Sequence, residues 1–377
     1  MKEFYLKKIQ ERKEKNLYRI ARTSDFIGAN LVLRAQKKLI SFASNDYFGL
    51  SQNKQMKKAS IKAIQDFGTS ATASRYVCGA NSLNVRLEKV IAKFKGFESA
   101  LIFPTGYSCC LGVVSALVEK DDLIVADRLI HASLIDGCLL SGAKLMRFPH
   151  NDFLQARQIL VQNRNQFKKC LIITETVFSM DGDLGNVKEL KALAQEFDCL
   201  FLEDAAHEIA TIVKGSGSAC GRANSVGIFL KIGTFSKAFG SLGGFVCGSK
   251  EIIDFLRNFA RPQIYSTALP PAVLAASLQA VKIAAKKELD KKALENANYF
   301  CKLMSLPEAA SAIVVIILES EEKVLKIAKK VEEKGFLISA IRYPTVEKNK
   351  PRLRICFNTN HSKKEIERLS EVLESLL

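Results

Sequence analysis

Two short apolar runs, each closing on reactive residues, constrain this chain more than any other feature. LFLEDAAH, from Leu200, ends in Asp204 with His207 three residues on, and IFLKIGTFSKAFGSLGG, from Ile228, ends in Thr234, Ser236 and Lys237 and runs into Gly240, Gly243 and Gly244. Runs of this length suit buried strands of an α/β sheet. A lysine just past such a strand, with hydroxyls before it and glycines after it, suits a Schiff-base lysine beside a bound phosphate. Pyridoxal phosphate is the cofactor that unites those features, and its ring, working as an electron sink, needs a carboxylate to keep the pyridine nitrogen protonated. Asp204 is available for that role, and His207 can reach the ring from the same loop. Taken singly, Asp204 reads as a helix cap and Lys237 as a surface lysine; the pair, each at a strand end, favours the cofactor site.

Around these runs the chain alternates strand and helix signals. A charged helical stretch, KKIQERKEKNLYR, precedes a strand pair near Leu31–Ile40. Leu83, Leu87, Val90, Ile91 and Phe94 recur at helical spacing and stop at Gly96. Short strands are expected at Ala100–Phe103, Leu123–Ala126, Lys144–Phe148 and Leu171–Thr174. Gly106 and Tyr107 turn into a helix whose free backbone N–H groups suit a phosphate. A helix from Pro271 leads to a smaller unit. There the order is a helix at Asp290–Met304, strand Ala312–Leu318, helix Glu321–Lys334, strands Phe336–Ala340 and Leu353–Phe357, and a last helix opened by Ser362 with Glu365. The division expected is an N-terminal segment, 1–45, a large domain, 46–272, and a small C-terminal domain, 273–377.

With 377 residues, 48% of them hydrophobic, the chain can bury a large core. No apolar run approaches the roughly 20 residues of a membrane span, and the first residues are too polar for a signal core, so a cytoplasmic protein without a membrane partner is expected. The ten cysteines are scattered apart from Cys109 and Cys110, with no CxxC pattern, and read as reduced; no structural metal is expected. A net charge of +17 suggests nucleic acid first. The basic residues are dispersed through helices such as Lys54–Lys62, however, so no nucleic-acid partner is expected.

Asp204-Ala205-Ala206-His207 followed by Thr234-Phe235-Ser236-Lys237-Ala238-Phe239-Gly240 resembles the α-oxoamine synthases, pyridoxal-phosphate enzymes that join an amino acid to an acyl-CoA. The likeness runs from about Leu17 to the C-terminus and is strongest to the branch serving biotin synthesis, which joins alanine to a pimeloyl thioester. It implies a fold-type I homodimer with a mostly parallel large sheet. It also implies roles for single residues. Lys237 would hold the cofactor and Asp204 its ring nitrogen. His131, in DRLIHAS, would lie on the ring face; His207, and Ser179 in ETVFSMDGD, would meet the ring oxygen. Gly106, Tyr107 and Thr234 would hold the phosphate, joined by Thr267, in IYSTALPP, from a second subunit. Arg354 in PRLRICF and Asn45 in FASNDYFGL would take the substrate carboxylate, and Arg19 would contact the acyl-CoA.

The chain departs from that pattern at Asn84, Cys110, Glu208 and Ala210. Glu208 and Ala210 stand where the family has small, flexible residues, which puts the substrate pocket in doubt and demands a partner for the carboxylate. Glycine C-acetyltransferase, 5-aminolevulinate synthase or a serine palmitoyltransferase-like enzyme would use the same machinery. An aminotransferase of the same fold would lack the thioester step, and a degenerate non-catalytic binding protein would lack chemistry altogether.

Overall fold

The computed structural model describes residues 1–15, 17–208, 228–286 and 289–377. An N-terminal helix, Lys2–Glu14, precedes three strands, β1 (Asp25–Phe26), β2 (Leu31–Arg34) and β3 (Lys37–Ser41), which form an antiparallel meander. The large sheet follows, from β4 (Ser99–Phe103), β5 (Leu123–Asp127), β6 (Lys144–Phe148), β7 (Cys170–Glu175), β8 (Leu200–Asp204), β9 (Phe229–Thr234) and β10 (Gly244–Gly248). Its order is β4-β10-β9-β8-β7-β5-β6, and β10 alone runs antiparallel to its neighbours. Helices cover both faces, which is why β5, β7, β9 and β10 are buried from end to end and read as apolar runs. The consequence for function is that Phe103, Asp127, Glu175, Asp204 and Thr234 all end strands at one edge, where open α/β sheets bind their ligands.

Local chemistry accounts for the helices beside that edge. Thr105 and Ser108 form a capping box that starts helix Gly106–Leu117, and His131 caps helix Ala132–Ser141 through its ring. Gly96 takes the left-handed conformation that ends helix Ser82–Lys95, as expected. Asn84 is buried inside the capping box that starts this helix, accepting from the Asn81 amide at 2.9 Å. This departure from the family pattern therefore serves as a helix cap.

Beyond helix Pro271–Ala284 come β11 (Ile313–Ile317), β12 (Phe336–Leu337), β13 (Ser339–Ile341) and β14 (Arg352–Cys356), with the capping box of Ser362 and Glu365 opening the last helix. The single strand expected at Phe336–Ala340 divides. β12 pairs in parallel with β3, whereas β13 pairs with β14 in the sheet β11-β14-β13. One apolar run thus serves two sheets, tying the N-terminal meander to the C-terminal sheet. Phe42, Phe336 and Phe357 pack around that junction. No helix among the described residues is long and apolar enough to cross a membrane.

Candidate active site

A cleft of about 210 Å³ opens at the strand ends, lined by Gly106, Tyr107, Cys110, His131, Ser133, Glu175, Asp204, His207, Ile232, Thr234, Ser236 and Lys237 among others. Seven of the residues singled out from sequence therefore meet here: Gly106, Tyr107, His131, Asp204, His207, Thr234 and Lys237. Adjacency of β8 and β9 brings the two motifs together, with Asp204 in register with Ile232.

Asp204 is buried at the end of β8. Its Oδ1 accepts from the Ala206 amide at 2.9 Å, and the Cys110 thiol points at Oδ2 from 3.8 Å. A tight turn, closed by the Glu208 amide on the Ala205 carbonyl, brings His207 back over the cleft. Its Nε2 lies 2.7 Å from Lys237 Nζ and its Nδ1 2.7 Å from the Tyr47 hydroxyl. Burial, then the charges of Lys237 and Arg354, push the His207 pKa well below the ordinary imidazole range, so the ring is neutral. Burial likewise lowers Lys237 against the pull of Asp204 and Glu175. Glu175, in register with Asp204 on β7, is raised well above the carboxylate range by burial and by that neighbour.

The glycines let backbone approach backbone. A Cβ on Gly244 would sit 2.5 Å from the Thr105 carbonyl and 2.8 Å from Gly106 Cα, so β10 could not pass under the Thr105 turn with any larger residue. A Cβ on Gly106 would lie 3.3 Å from Thr234 Cβ and Oγ1. The start of helix Gly106–Leu117 is thereby held against the end of β9. Thr234 Oγ1 there donates to the Gly243 carbonyl at 2.8 Å, accepts from the Ser236 amide at 3.1 Å and meets Ser236 Oγ at 2.7 Å.

Arg354 arrives from the C-terminal sheet, buried in β14 and answered by four groups. Its Nε donates to the Ser179 carbonyl at 2.5 Å, both terminal nitrogens to Asn45 Oδ1 at 3.2 Å, one of them to the Tyr47 hydroxyl at 3.4 Å and the other toward Cys356 Sγ at 2.9 Å. Asn45 and Arg354 are thus brought together, one hydrogen-bonded step from His207. Three other residues lie apart from the cleft. Ser179 lines a separate pocket of about 160 Å³ with His150 and Arg352. Arg19 is exposed beside Tyr5, Lys8 and Pro344 in an open pocket of about 510 Å³. Thr267 is exposed, bridged to the Ser74 backbone.

Glu208 does not line the cleft. It turns away to Lys95 and Lys231, so the partner that its carboxylate demands is present. Ala210 lies outside the described residues. Tyr47 and Glu175 were not singled out from sequence, although both sit inside quoted motifs; a polar residue ending an apolar run, as Glu175 ends β7, was the available signal.

Residues 37–373 match the aminotransferase class I and II family. This chain belongs to that family. Within it the chain is an α-oxoamine synthase of fold type I, and the cofactor of the group is pyridoxal phosphate. An 8-amino-7-oxononanoate synthase of Maricaulis maris is 41% identical over 100% of this chain and 96% of its own length. One from Methylocella silvestris is 40% identical over 92% of this chain and 99% of its own. Among solved structures, the serine palmitoyltransferase of Sphingomonas wittichii superposes with a TM-score of 0.88 at 26% identity, covering 98% of this chain and 96% of that one. The 8-amino-7-oxononanoate synthase of Francisella tularensis gives 0.72 at 30% identity, over 90% and 96%.

The α-oxoamine synthase cleft fits that cofactor on its own geometry. The Gly106 and Tyr107 amides open a helix, where no earlier turn supplies a carbonyl for them, and both residues line the cleft together with Thr234 and Ser236, a set suited to phosphate. Asp204 lines the same cleft with an acceptor carboxylate of the kind a protonated ring nitrogen needs, and Lys237 lines it with Nζ against His207 Nε2.

Proposed function

We propose that the chain joins L-alanine to a pimeloyl thioester, carried by CoA or a carrier protein, with loss of CO2 and release of free thiol. The product is 8-amino-7-oxononanoate, a precursor in biotin synthesis. One observation carries the reading: Arg354 and Lys237 are linked through Tyr47 and His207 by hydrogen bonds of 3.4, 2.7 and 2.7 Å, so one continuous relay joins a buried guanidinium to the buried amine of the cleft. A substrate carboxylate held by Arg354 and Asn45 would bring an α-carbon toward Lys237. The choice of alanine and pimeloyl rests on the names of the relatives at about 40% identity.

Pyridoxal phosphate, when bound, supplies the electron sink that makes the α-proton of an amino acid removable. Asp204 would keep the ring nitrogen protonated, and His131 would offer its ring to the cofactor's face. Gly106, Tyr107 and Thr234 would hold the phosphate, with Thr267 of a second copy completing it in a homodimer with shared sites. His207 would serve the ring oxygen, whereas Ser179 lines the separate pocket beside Arg352 and is given no part in it. Lys237, its pKa lowered by burial, takes the α-proton as general base. The acyl thioester approaches past Arg19.

The test is thiol release with alanine, glycine and serine against pimeloyl, acetyl, succinyl and palmitoyl thioesters. Serine and palmitoyl-CoA belong in the panel because the backbone fit to the serine palmitoyltransferase is the greater. Alanine with a pimeloyl donor should lead; any other leading pair overturns the substrate assignment. Borohydride should fix a pyridoxyl group on Lys237, and a protein that stays colourless with added cofactor would overturn the site itself.

A further inference from the structure

Beneath the cleft lies a buried ion network that the reaction does not use. Glu208 places Oε2 2.6 Å from Lys95 Nζ and Oε1 2.8 Å from Lys231 Nζ. Lys231 also meets Glu203 Oε1 at 3.1 Å, Glu203 Oε2 meets Lys191 at 3.2 Å, and the Thr176 hydroxyl donates to Glu203 at 2.7 Å. Glu203 and Lys231 are register partners on β8 and β9. The next residues along each strand, Asp204 and Ile232, turn the other way and line the cleft. Charges this deep are costly unless paired from several sides, and their partners here come from separate elements: Lys95 from the last turn of helix Ser82–Lys95, Lys231 from β9, and Glu208 from the turn after β8.

We propose that Glu208 is a positioning residue for His207, its two-lysine clamp fixing the Ala205–Glu208 turn so that His207 Nε2 stays in contact with Lys237. The family resemblance puts a small residue here, which has no side chain able to make that clamp. Only one peptide bond separates the clamped carboxylate from the residue whose ring bridges Tyr47 and Lys237. Burial alone would raise the Glu208 carboxyl, but Lys95 and Lys231 outweigh it and hold it at about 2, so the clamp is charged throughout the working range. The groups facing His207 itself are Tyr47, Lys237, Arg354 and His131. None of them belongs to the network, so Glu208 acts on the cleft through the turn.

This inference rests on the cleft being a pyridoxal-phosphate site, and its test separates the two. The visible absorbance of the cofactor-loaded protein is titrated with pH in the parent, Glu208→Gln, His207→Asn and the double variant. Glu208→Gln should move the midpoint in the same direction as His207→Asn, and the double variant should match His207→Asn alone, because one change acts through the other. The kcat of Glu208→Gln should fall by about 10²-fold, the cost of a misplaced catalytic group, with the KM for the amino acid little changed. Lys95→Met removes one arm and should produce a smaller shift of the same sign, which keeps the test available if Glu208→Gln folds poorly. A lowered melting temperature with an unmoved midpoint in both variants, or shifts that add in the double variant, would overturn the proposal. A parent with no visible band would overturn the reading of the cleft beneath it.

Discussion

His207 Nδ1 lies 2.7 Å from the Tyr47 hydroxyl, across 160 positions of sequence, which leaves Nε2 as the ring nitrogen that meets Lys237. Burial raises the Tyr47 phenol far above its ordinary range, so it stays protonated at any working pH. Tyr47→Phe keeps the ring and its packing and removes only the hydroxyl, leaving a buried nitrogen short of a partner. The expected cost is about 1–3 kcal/mol of unfolding free energy. Denaturant unfolding reads this as a lower midpoint at constant slope. An unchanged midpoint would mean that the hydroxyl does not hold the ring.

Asp204→Asn tests the cleft floor. The amide retains the shape that accepts from the Ala206 amide but removes the charge that would keep a ring nitrogen protonated. Cofactor should still bind, because the residues proposed to hold its phosphate, Gly106, Tyr107 and Thr234, are untouched. Turnover should fall by orders of magnitude. Exchange of the alanine α-proton with solvent isolates the step, and exchange at the parent rate would show that Asp204 has another task.

What was legible in the sequence and what was not divides along physical lines. Asp204, His207, Thr234 and Lys237 could be read because each stands in a local pattern, an apolar strand followed by reactive residues. The β/α alternation could be read for the same reason. The parting of β12 from β13 could not, since an apolar run does not say which sheet it will join and β3 is nearly 300 positions away. Where Glu208 points could not be read, because past the end of a strand alternation no longer fixes the direction of a side chain. Its lysines lie 113 and 23 positions away, and no local pattern announces them.

His361 gives the fold a predictable acid response. Its Nε2 donates to the Ser41 carbonyl at 3.0 Å, its Nδ1 accepts from the Asn358 amide at 3.1 Å, and its ring stacks on Phe42 with centroids 3.9 Å apart. Burial outweighs the Ser41 carbonyl and Glu365 and lowers the pKa from 6.5 to about 4. The unfolded chain therefore takes up a proton before the folded chain does. The stability linked to His361 is complete above pH 6.5 and is lost as pH falls through that window to about 4, by about 3 kcal/mol in all. Unfolding free energy followed across the window should fall less steeply in His361→Asn than in the parent. Equal slopes would mean that other groups carry the acid sensitivity.

Thr267 bears on assembly. It is exposed and absent from the cleft of its own chain, and Phe259 and Tyr265 stand exposed nearby, an apolar surface suited to a second copy. If Thr267 serves the phosphate of the opposite subunit, a Lys237→Ala chain paired with a Thr267→Ala chain forms one site carrying both lesions and one carrying neither. Mixed dimers should then regain activity above that of either variant alone, and the gain should track subunit exchange. If Thr267 acts within its own chain, every site in the mixed dimer carries one lesion and nothing is regained. Activities that merely average after verified exchange would therefore count against shared sites.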